Sequence, residues 1–158
     1  MANLDLLLKA LDSAVWEMGE GFKVLPDEDV WQRPHPRLLS VGEVAVHVAY
    51  WEAQSFLGEG FDSPLVQAET PYYSSSVDKP IALALTGDQV YAEVKRVHEA
   101  CKAAFLADPH DSEELNAKRA ENQWTWGATL EYQVFHFGYH TGQIYSARHL
   151  LGHETIDN

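Results

Sequence analysis

The chain has 158 residues, 46% hydrophobic and 22% charged, which is the range of an ordinary globular protein and predicts a single domain over residues 1–158. Its 11 lysines and arginines stand against 24 aspartates and glutamates, and the net charge of −13, with no basic stripe, argues against a nucleic-acid partner. Cys101 is the only cysteine, which excludes an intrachain disulfide and a thiolate cluster, so a bound metal would need nitrogen and oxygen ligands.

The pattern of the N-terminal segment predicts a helix and lacks the features of a targeting signal. It has no basic region, and no apolar run in the chain reaches the ~18 residues of a membrane span, so we expect a cytosolic protein without a membrane partner. Apolar residues recur at the three-and-four spacing of an amphipathic helix, at Leu4, Leu7, Leu8, Leu11, Val15 and Met18. Gly19-Glu20-Gly21 marks its end.

Residues 22–39 predict a shaped connection. Three prolines exclude a long helix there, at Pro26, Pro34 and Pro36. Residues 27–32 have room for one short helical turn, with Trp31 packed inward.

A capping box, Ser40-Val-Gly-Glu43, marks the start of the second helix. This cap accounts for Glu43. His47 lies one turn from both Val44 and Trp51 on the apolar face, so we expect it to point toward the interior of the fold or its edge.

Residues 58–85 form a connection far longer than the 2–8 residues typical between bundled helices. They either cross the length of a bundle, which would make the second and third helices parallel, or cover a site. Thr86-Gly-Asp-Gln89 is a second capping box, and the third helix that it begins ends at Asp108-Pro109. Residues 110–124 are polar, and a short helix over 113–121 would have too little apolar surface for the core.

The fourth helix is predicted to begin after Thr125 and to stop at Gly152, with Arg148 and His149 in the last turn, where cations suit the helix dipole. It is apolar nearly all round, so we expect it to be central or to contact a second subunit in a homodimer. The predicted fold is all-α, with four main helices and no strand. Glu52 and Glu131 are interpreted as solvated charges on helix faces.

His136 and His140 are four residues apart, so both imidazoles lie on one face of the fourth helix and can reach a single ion. Spacing alone is a weak signal, because a histidine on a helix face is more often a hydrogen-bonded packing residue. The zinc-protease pattern has glutamate directly after the first histidine, where this chain has Phe137. A protease is therefore disfavoured.

His47 strengthens the case for a metal, because its helix packs in the same small fold. Three imidazoles from two helices can share an ion and leave coordination positions open, which is typical of catalytic rather than structural sites. The alternative, which the sequence supports about equally, is that His47 is an independent core or edge histidine.

Other side chains are weaker candidates for the surroundings of this site. Gln143 lies one turn beyond His140, Tyr132 lies one turn before His136, and Trp51 could wall an apolar pocket, although the sequence favours an ordinary polar role at a bundle edge for the first two and a core role for the third. His98, on the inner side of the third helix, is the other histidine to test as a ligand. The remaining histidines are expected to be solvated, at His35, His110, His149 and His153.

These residues together carry a resemblance that spans nearly the whole chain. The apolar first helix, the segment 40–58 with an inward His47, and the segment 128–152 with His136-x-x-x-His140-x-Gly-Gln143 resemble the DinB/YfiT-like superfamily of metal-binding four-helix bundles. The resemblance implies up-down-down-up topology with a long crossover from helix two to helix three, and often a dimer.

In proteins of this superfamily, histidines that match His47, His136 and His140 bind a divalent ion such as zinc, nickel, iron or manganese. The relatives include thiol S-transferases that use low-molecular-weight thiols, a mycothiol-dependent maleylpyruvate isomerase and metal-dependent hydrolases. The resemblance thus implies a metal-dependent enzyme that acts on a small molecule. The competing hypothesis is a non-enzymatic binding or stress-response module, with a structural metal or none, and with a closed site.

Overall fold

A computed structural model describes residues 2–58, 60–68, 78–107, 115–118 and 124–155. Within these residues the protein is all-helical, and a single β-bridge between Lys118 and Thr125 is the only strand-like pairing. The six helices are α1 (Ala2–Glu20), α2 (Asp27–Val30), α3 (Val41–Phe56), α4 (Pro64–Gln67), α5 (Gly87–Ala107) and α6 (Trp126–Leu150). Among the described helices, none is both long and apolar enough to span a membrane.

Local capping explains where the long helices begin, as the sequence predicted. The Ser40 hydroxyl accepts the Glu43 N–H at 3.2 Å and the Glu43 carboxylate accepts the Ser40 N–H at 2.8 Å, which completes the capping box of α3. Thr86 and Gln89 form the same reciprocal pair at the start of α5. Thr125 caps α6, and Gly152 ends it with a φ of +92°, which an L side chain rarely adopts.

The four long helices enclose the core. α1 packs against α6, α3 packs against both α5 and α6, and α1 and α5 share a smaller contact, so these contacts close a ring. The core side chains inside this ring are almost completely buried, among them Met18, Val48, Val94, Phe137 and Ile144. Burial of such side chains, at about 25 cal/mol per Å² of apolar surface, is the main stabilising contribution to a fold of this kind.

The connections are fixed by specific contacts. Trp31 packs inward as predicted, so closely that a Cβ on Gly42 would lie 2.7 Å from its ring, and its Nε1 donates to the Leu85 carbonyl at 2.8 Å. Within the long connection, α4 packs on α3. The predicted short helix over 113–121 falls mostly outside the described residues.

Two predictions about charged or titratable residues were wrong. Glu52 is fully buried rather than solvated. Burial is tolerated because the Glu52 carboxylate bonds to Nδ1 of the buried His98 of α5 at 2.7 Å. His153 is partly buried because it bonds to Asp29 at 2.7 Å, whereas His35 and His149 are exposed as predicted. His110 lies outside the described residues.

Arg148 lies in the last turn of α6, as predicted, but it is 1% exposed. Its guanidinium donates to the carbonyls of Gly21, Lys23 and Glu154 at 2.7–2.8 Å. It therefore ties the end of α6 to the turn after α1, a contact between distant segments that a helix-dipole argument does not anticipate.

Candidate metal centre

His47 of α3 meets His136 and His140 of α6 at the contact between the two helices. One ligand nitrogen from each ring can be chosen so that all three lie within 4.8 Å of one another. The Nε2 atoms of His136 and His47 are 3.3 Å apart, and the three ring centroids are separated by 4.4–5.2 Å. The predicted juxtaposition of the three histidines is confirmed.

The spacing of the residues along the helices accounts for this arrangement. His136 and His140 occupy successive turns of α6, and their neighbours Phe137 and Ile144 hold that helix in the core. His136 and His140 are 5% and 8% exposed, while His47 is half-buried at the edge. The cluster is therefore largely shielded from water yet reachable from one side.

Gln143, a candidate from the sequence, orients His140. The His140 Nδ1–H donates to Gln143 Oε1 at 2.7 Å, and the Gln143 amide nitrogen donates to the Tyr139 hydroxyl at 3.2 Å, which keeps the amide oxygen turned toward the imidazole. With Nδ1 protonated, Nε2 carries the lone pair. This is the usual way in which a protein sets the tautomer of a metal-binding histidine.

Tyr132, a second candidate, is placed differently. Its ring stacks on the His136 imidazole, with a centroid distance of 5.5 Å and an interplanar angle of 19°. His136 Nδ1 is buried and has no hydrogen-bond partner among the described residues, so stacking on Tyr132 supplements the Nε2 contact with His47 in positioning this ring.

The separation of one pair of nitrogens, from His136 and His47, fits a shared divalent ion. Two imidazole nitrogens that each bind one zinc at about 2.0–2.1 Å, with tetrahedral angles, lie about 3.3–3.4 Å from each other. The observed 3.3 Å between the Nε2 atoms of His136 and His47 matches that spacing. Three imidazole nitrogens are also a donor set that suits zinc, nickel and iron.

The electrostatics of the cluster keep the imidazoles neutral. Burial, followed by repulsion from His140 and His47, lowers the pKa of His136 to about 3. Burial and the proximity of His47 lower the pKa of His140 to about 4, despite the opposing hydrogen bond to Gln143. Because only neutral imidazole binds a metal, both side chains are in the binding form at neutral pH.

An open cavity of about 590 Å³ lies over the cluster. His47 and His140 form part of its lining, together with Tyr139, Gln143 and Ser146 on the polar side. The remaining wall is apolar, formed by Leu38, Leu39, Val44, Ala147 and Leu150. Trp51 is not among the described residues that line this cavity, and its ring packs edge-on against Tyr50 instead.

His98 is buried, as its position on the inner side of the third helix suggested, but its two ring nitrogens are bonded to carboxylates. Nδ1 lies 2.7 Å from Glu52 and Nε2 lies 3.0 Å from Asp12, which also bonds to Lys102. The sequence does not indicate this network, because Asp12, Glu52 and His98 are on different helices and no local spacing connects them. A carboxylate on an otherwise apolar helix face, such as Glu52, is the one available signal.

Comparison of the chain with protein-family models, with curated proteins and with solved structures gives no match.

Proposed function

We propose that the protein is a divalent-metal-dependent enzyme that acts on a small molecule by thiol transfer or hydrolysis. The observation that carries the proposal is the cluster of His47, His136 and His140, with ligand atoms within 4.8 Å of one another, beside an open cavity that the first and third of them line. Zinc, nickel, iron and manganese are the candidate ions, and three imidazoles leave coordination positions available.

The surrounding residues suit such a role. A divalent ion held by neutral imidazoles lowers the pKa of a thiol or water that coordinates it, and thereby supplies a nucleophile near neutral pH. Gln143 fixes the tautomer of His140, and Tyr132 restrains the ring of His136. The apolar wall that includes Leu39 and Val44 places low-polarity surface beside the reacting groups.

We also propose that the chain is a member of the DinB/YfiT-like superfamily and that α1, α3, α5 and α6 form its up-down-down-up bundle. The ring of contacts among these helices and the long connection between α3 and α5 support this proposal. A homodimer is part of the same proposal. The cytosolic location stays a prediction from the sequence.

The competing hypothesis, a non-enzymatic module, predicts a closed site, either with a fourth protein ligand such as His98 or with side chains that fill the open position. The cavity over His47 and His140 and the engagement of both His98 nitrogens by carboxylates support the enzyme instead.

Metal analysis of protein purified without added metal tests the first step. We expect about one divalent ion per chain in the wild type and a large loss in His140→Ala. His149→Ala, which removes an exposed histidine from the same helix, is the matched control and should retain the metal. Equal metal content in the wild type and His140→Ala would rule out the assigned site.

Turnover tests the second step. The metal-loaded protein is incubated with activated electrophiles and a panel of low-molecular-weight thiols, and consumption of either reactant is followed. We expect turnover that depends on the metal and is lost in His140→Ala. A loaded protein whose open position proves to be filled by a protein side chain would favour the competing module.

A further inference from the structure

The lining of the cavity beside the histidines is mostly apolar. Its polar groups come from His47, His140 and Gln143, with Tyr139 and Ser146, whereas Leu38, Leu39 and Leu150 contribute apolar wall. Leu150 lies ten residues, about 15 Å, beyond His140 along α6. Leu38 and Leu150 remain 41% and 64% exposed, so large apolar surfaces face solvent at this site. Apolar surface that lies open beside a polar centre is the usual mark of a site that buries an apolar ligand body.

The described residues that line the cavity include neither a lysine or arginine nor an aspartate or glutamate. Two charged groups next to lining residues are bonded elsewhere, since Glu43 next to Val44 is bonded to Arg33, and Arg148 next to Ala147 is buried against backbone carbonyls. A charge on the part of a ligand that rests on this lining would therefore lose water without gaining a partner from the lining, which is costly. The net charge of −13 adds a general penalty for anions.

We infer that this site selects a ligand with one polar head, held at the histidines, and an uncharged apolar body that rests on Leu38, Leu39 and Leu150. The inference rests on the proposed function, because that function places the reacting head group at the metal. It goes further in naming the substrate class, which is an apolar thiol or ester rather than a thiol with charged groups distant from its sulfur.

A pair of thiols of equal length tests this selection. Butane-1-thiol and 4-mercaptobutyrate carry the same head and differ at the far end, where one has a methyl group and the other a carboxylate. Each is titrated into the cobalt(II)-loaded protein, and binding is read from the visible absorption of the cobalt, which reports a coordinated thiolate without any turnover. We expect butane-1-thiol to bind at least about tenfold more tightly, a difference of about 1.4 kcal/mol.

Charge substitution at the cavity mouth sharpens the test. Leu150→Lys supplies a cation that can pair with the carboxylate, and it should reduce the preference for butane-1-thiol over 4-mercaptobutyrate to less than about threefold. Leu150→Glu should keep or increase that preference. Leu106→Lys is the matched control, because it places a lysine at an exposed leucine of α5 that is not part of the lining. Equal affinity for the two thiols, or an identical effect of Leu150→Lys and Leu106→Lys, would overturn the inference while leaving the metal site intact.

Failure of the metal site would appear differently, as cobalt that does not bind at all. In that case the metal-free protein is titrated with hexan-1-ol and with 6-hydroxyhexanoate, and the methyl signals of the leucines at positions 38, 39 and 150 are followed by NMR. Shifts with the alcohol alone would support the selection of an uncharged body. Equal shifts, or none with either compound, would overturn it.

Discussion

The hydrogen bond from His140 to Gln143 decides which nitrogen of the imidazole carries the proton and which keeps its lone pair for a metal. Sequence spacing placed Gln143 one turn from His140, but spacing alone favoured an ordinary polar role at the edge of the bundle. The 2.7 Å contact, together with the second bond from the Gln143 amide to Tyr139, defines an orienting role instead. Tyr132 contacts the cluster through its ring face, so its hydroxyl is not part of that contact.

These two contacts predict different consequences for metal affinity. Gln143→Leu removes the acceptor that fixes the His140 tautomer and should weaken zinc binding about 10–100-fold. Tyr132→Phe keeps the stacked ring and should change affinity less than about threefold. Competition with a chromophoric chelator measures both. Equal losses in the two variants would contradict the orienting role.

The pKa values of the histidines in the two buried clusters are shifted in opposite directions, upward for His98 and downward for His136 and His140. Burial would lower the pKa of His98, but hydrogen bonds and charge from Glu52, followed by those from Asp12, outweigh it, so the pKa lies above its ordinary value. His136 and His140, whose pKa values lie near 3 and 4, should stay neutral when other histidines have become protonated. NMR titration of the imidazole signals in metal-free protein measures this order.

The same shifts have a consequence for stability. Between pH ~6.5 and ~4 the unfolded chain binds protons at His136 and His140 that the folded chain does not, so the stability of the metal-free protein should fall as pH drops through this window. Unfolding by urea across the window provides the measurement. A signal of His136 that titrates near the ordinary value of ~6.5 would contradict both statements.

At the scale of elements, Glu43 shows what could and could not be predicted from sequence. Its cap with Ser40 is local, only three residues away, and a sequence motif reveals it. The same carboxylate also accepts two hydrogen bonds from Arg33, at 2.6 and 2.7 Å, and one from the Ile81 N–H at 2.9 Å. Those partners come from other segments, so no local pattern indicates them, and the carboxylate joins three parts of the chain.

This convergence predicts an acid-sensitive contribution to stability. Burial alone would raise the pKa of Glu43, but the hydrogen bonds from Arg33, Ser40 and Ile81 outweigh it and leave the pKa below its ordinary value. Because the pKa is lower in the folded state than the ~4.3 of the unfolded chain, the ionised carboxylate stabilises the protein at pH values above ~4.3. This contribution is lost as the pH falls below that value.

Glu43→Gln should therefore destabilise the protein by about 2–4 kcal/mol at pH 7, and by progressively less as pH falls below ~4. Glu131→Gln, at an exposed position of α6, is the control and should be neutral within about 0.5 kcal/mol. Denaturant unfolding at several pH values measures both variants. A deficit for Glu43→Gln that is constant with pH would contradict the role of its charge.

At the scale of the whole molecule, periodicity and caps in the sequence indicated the long helices, because amphipathic spacing and capping are local. They could not indicate which face of each helix meets which neighbour. Glu52 illustrates the limit, since only the position of α5 brings His98 to it and makes burial tolerable. The three histidines could be expected together in advance because His136 and His140 share one face of a helix and His47 lies on the apolar face of another, whereas no local spacing connects Glu52 with its partner.

A row of exposed aromatic rings lies on and just before α6, the helix whose sequence is apolar nearly all round. Phe137 is buried in the core, but four other rings form a continuous aromatic row that faces solvent. They are Trp124, Tyr132, Phe135 and Tyr139, 43–61% exposed and with neighbouring centroids 5.3–6.1 Å apart. A row of large rings beside the histidine cluster is the kind of surface that a subunit contact covers.

The aromatic row is therefore the predicted centre of the homodimer. A stable dimer buries at least about 1,000 Å² in total, and a charge at its centre, desolvated without a partner, opposes association. Phe135→Glu should give monomers in light scattering at micromolar concentration, where we expect the wild type to be a dimer. Leu106→Glu places the same charge on an exposed leucine of α5 and should leave the dimer intact. Tyr139 belongs both to the aromatic row and to the cavity wall. If the wild type proves to be a monomer, this side of the cavity is open to solvent and is not covered by a second subunit.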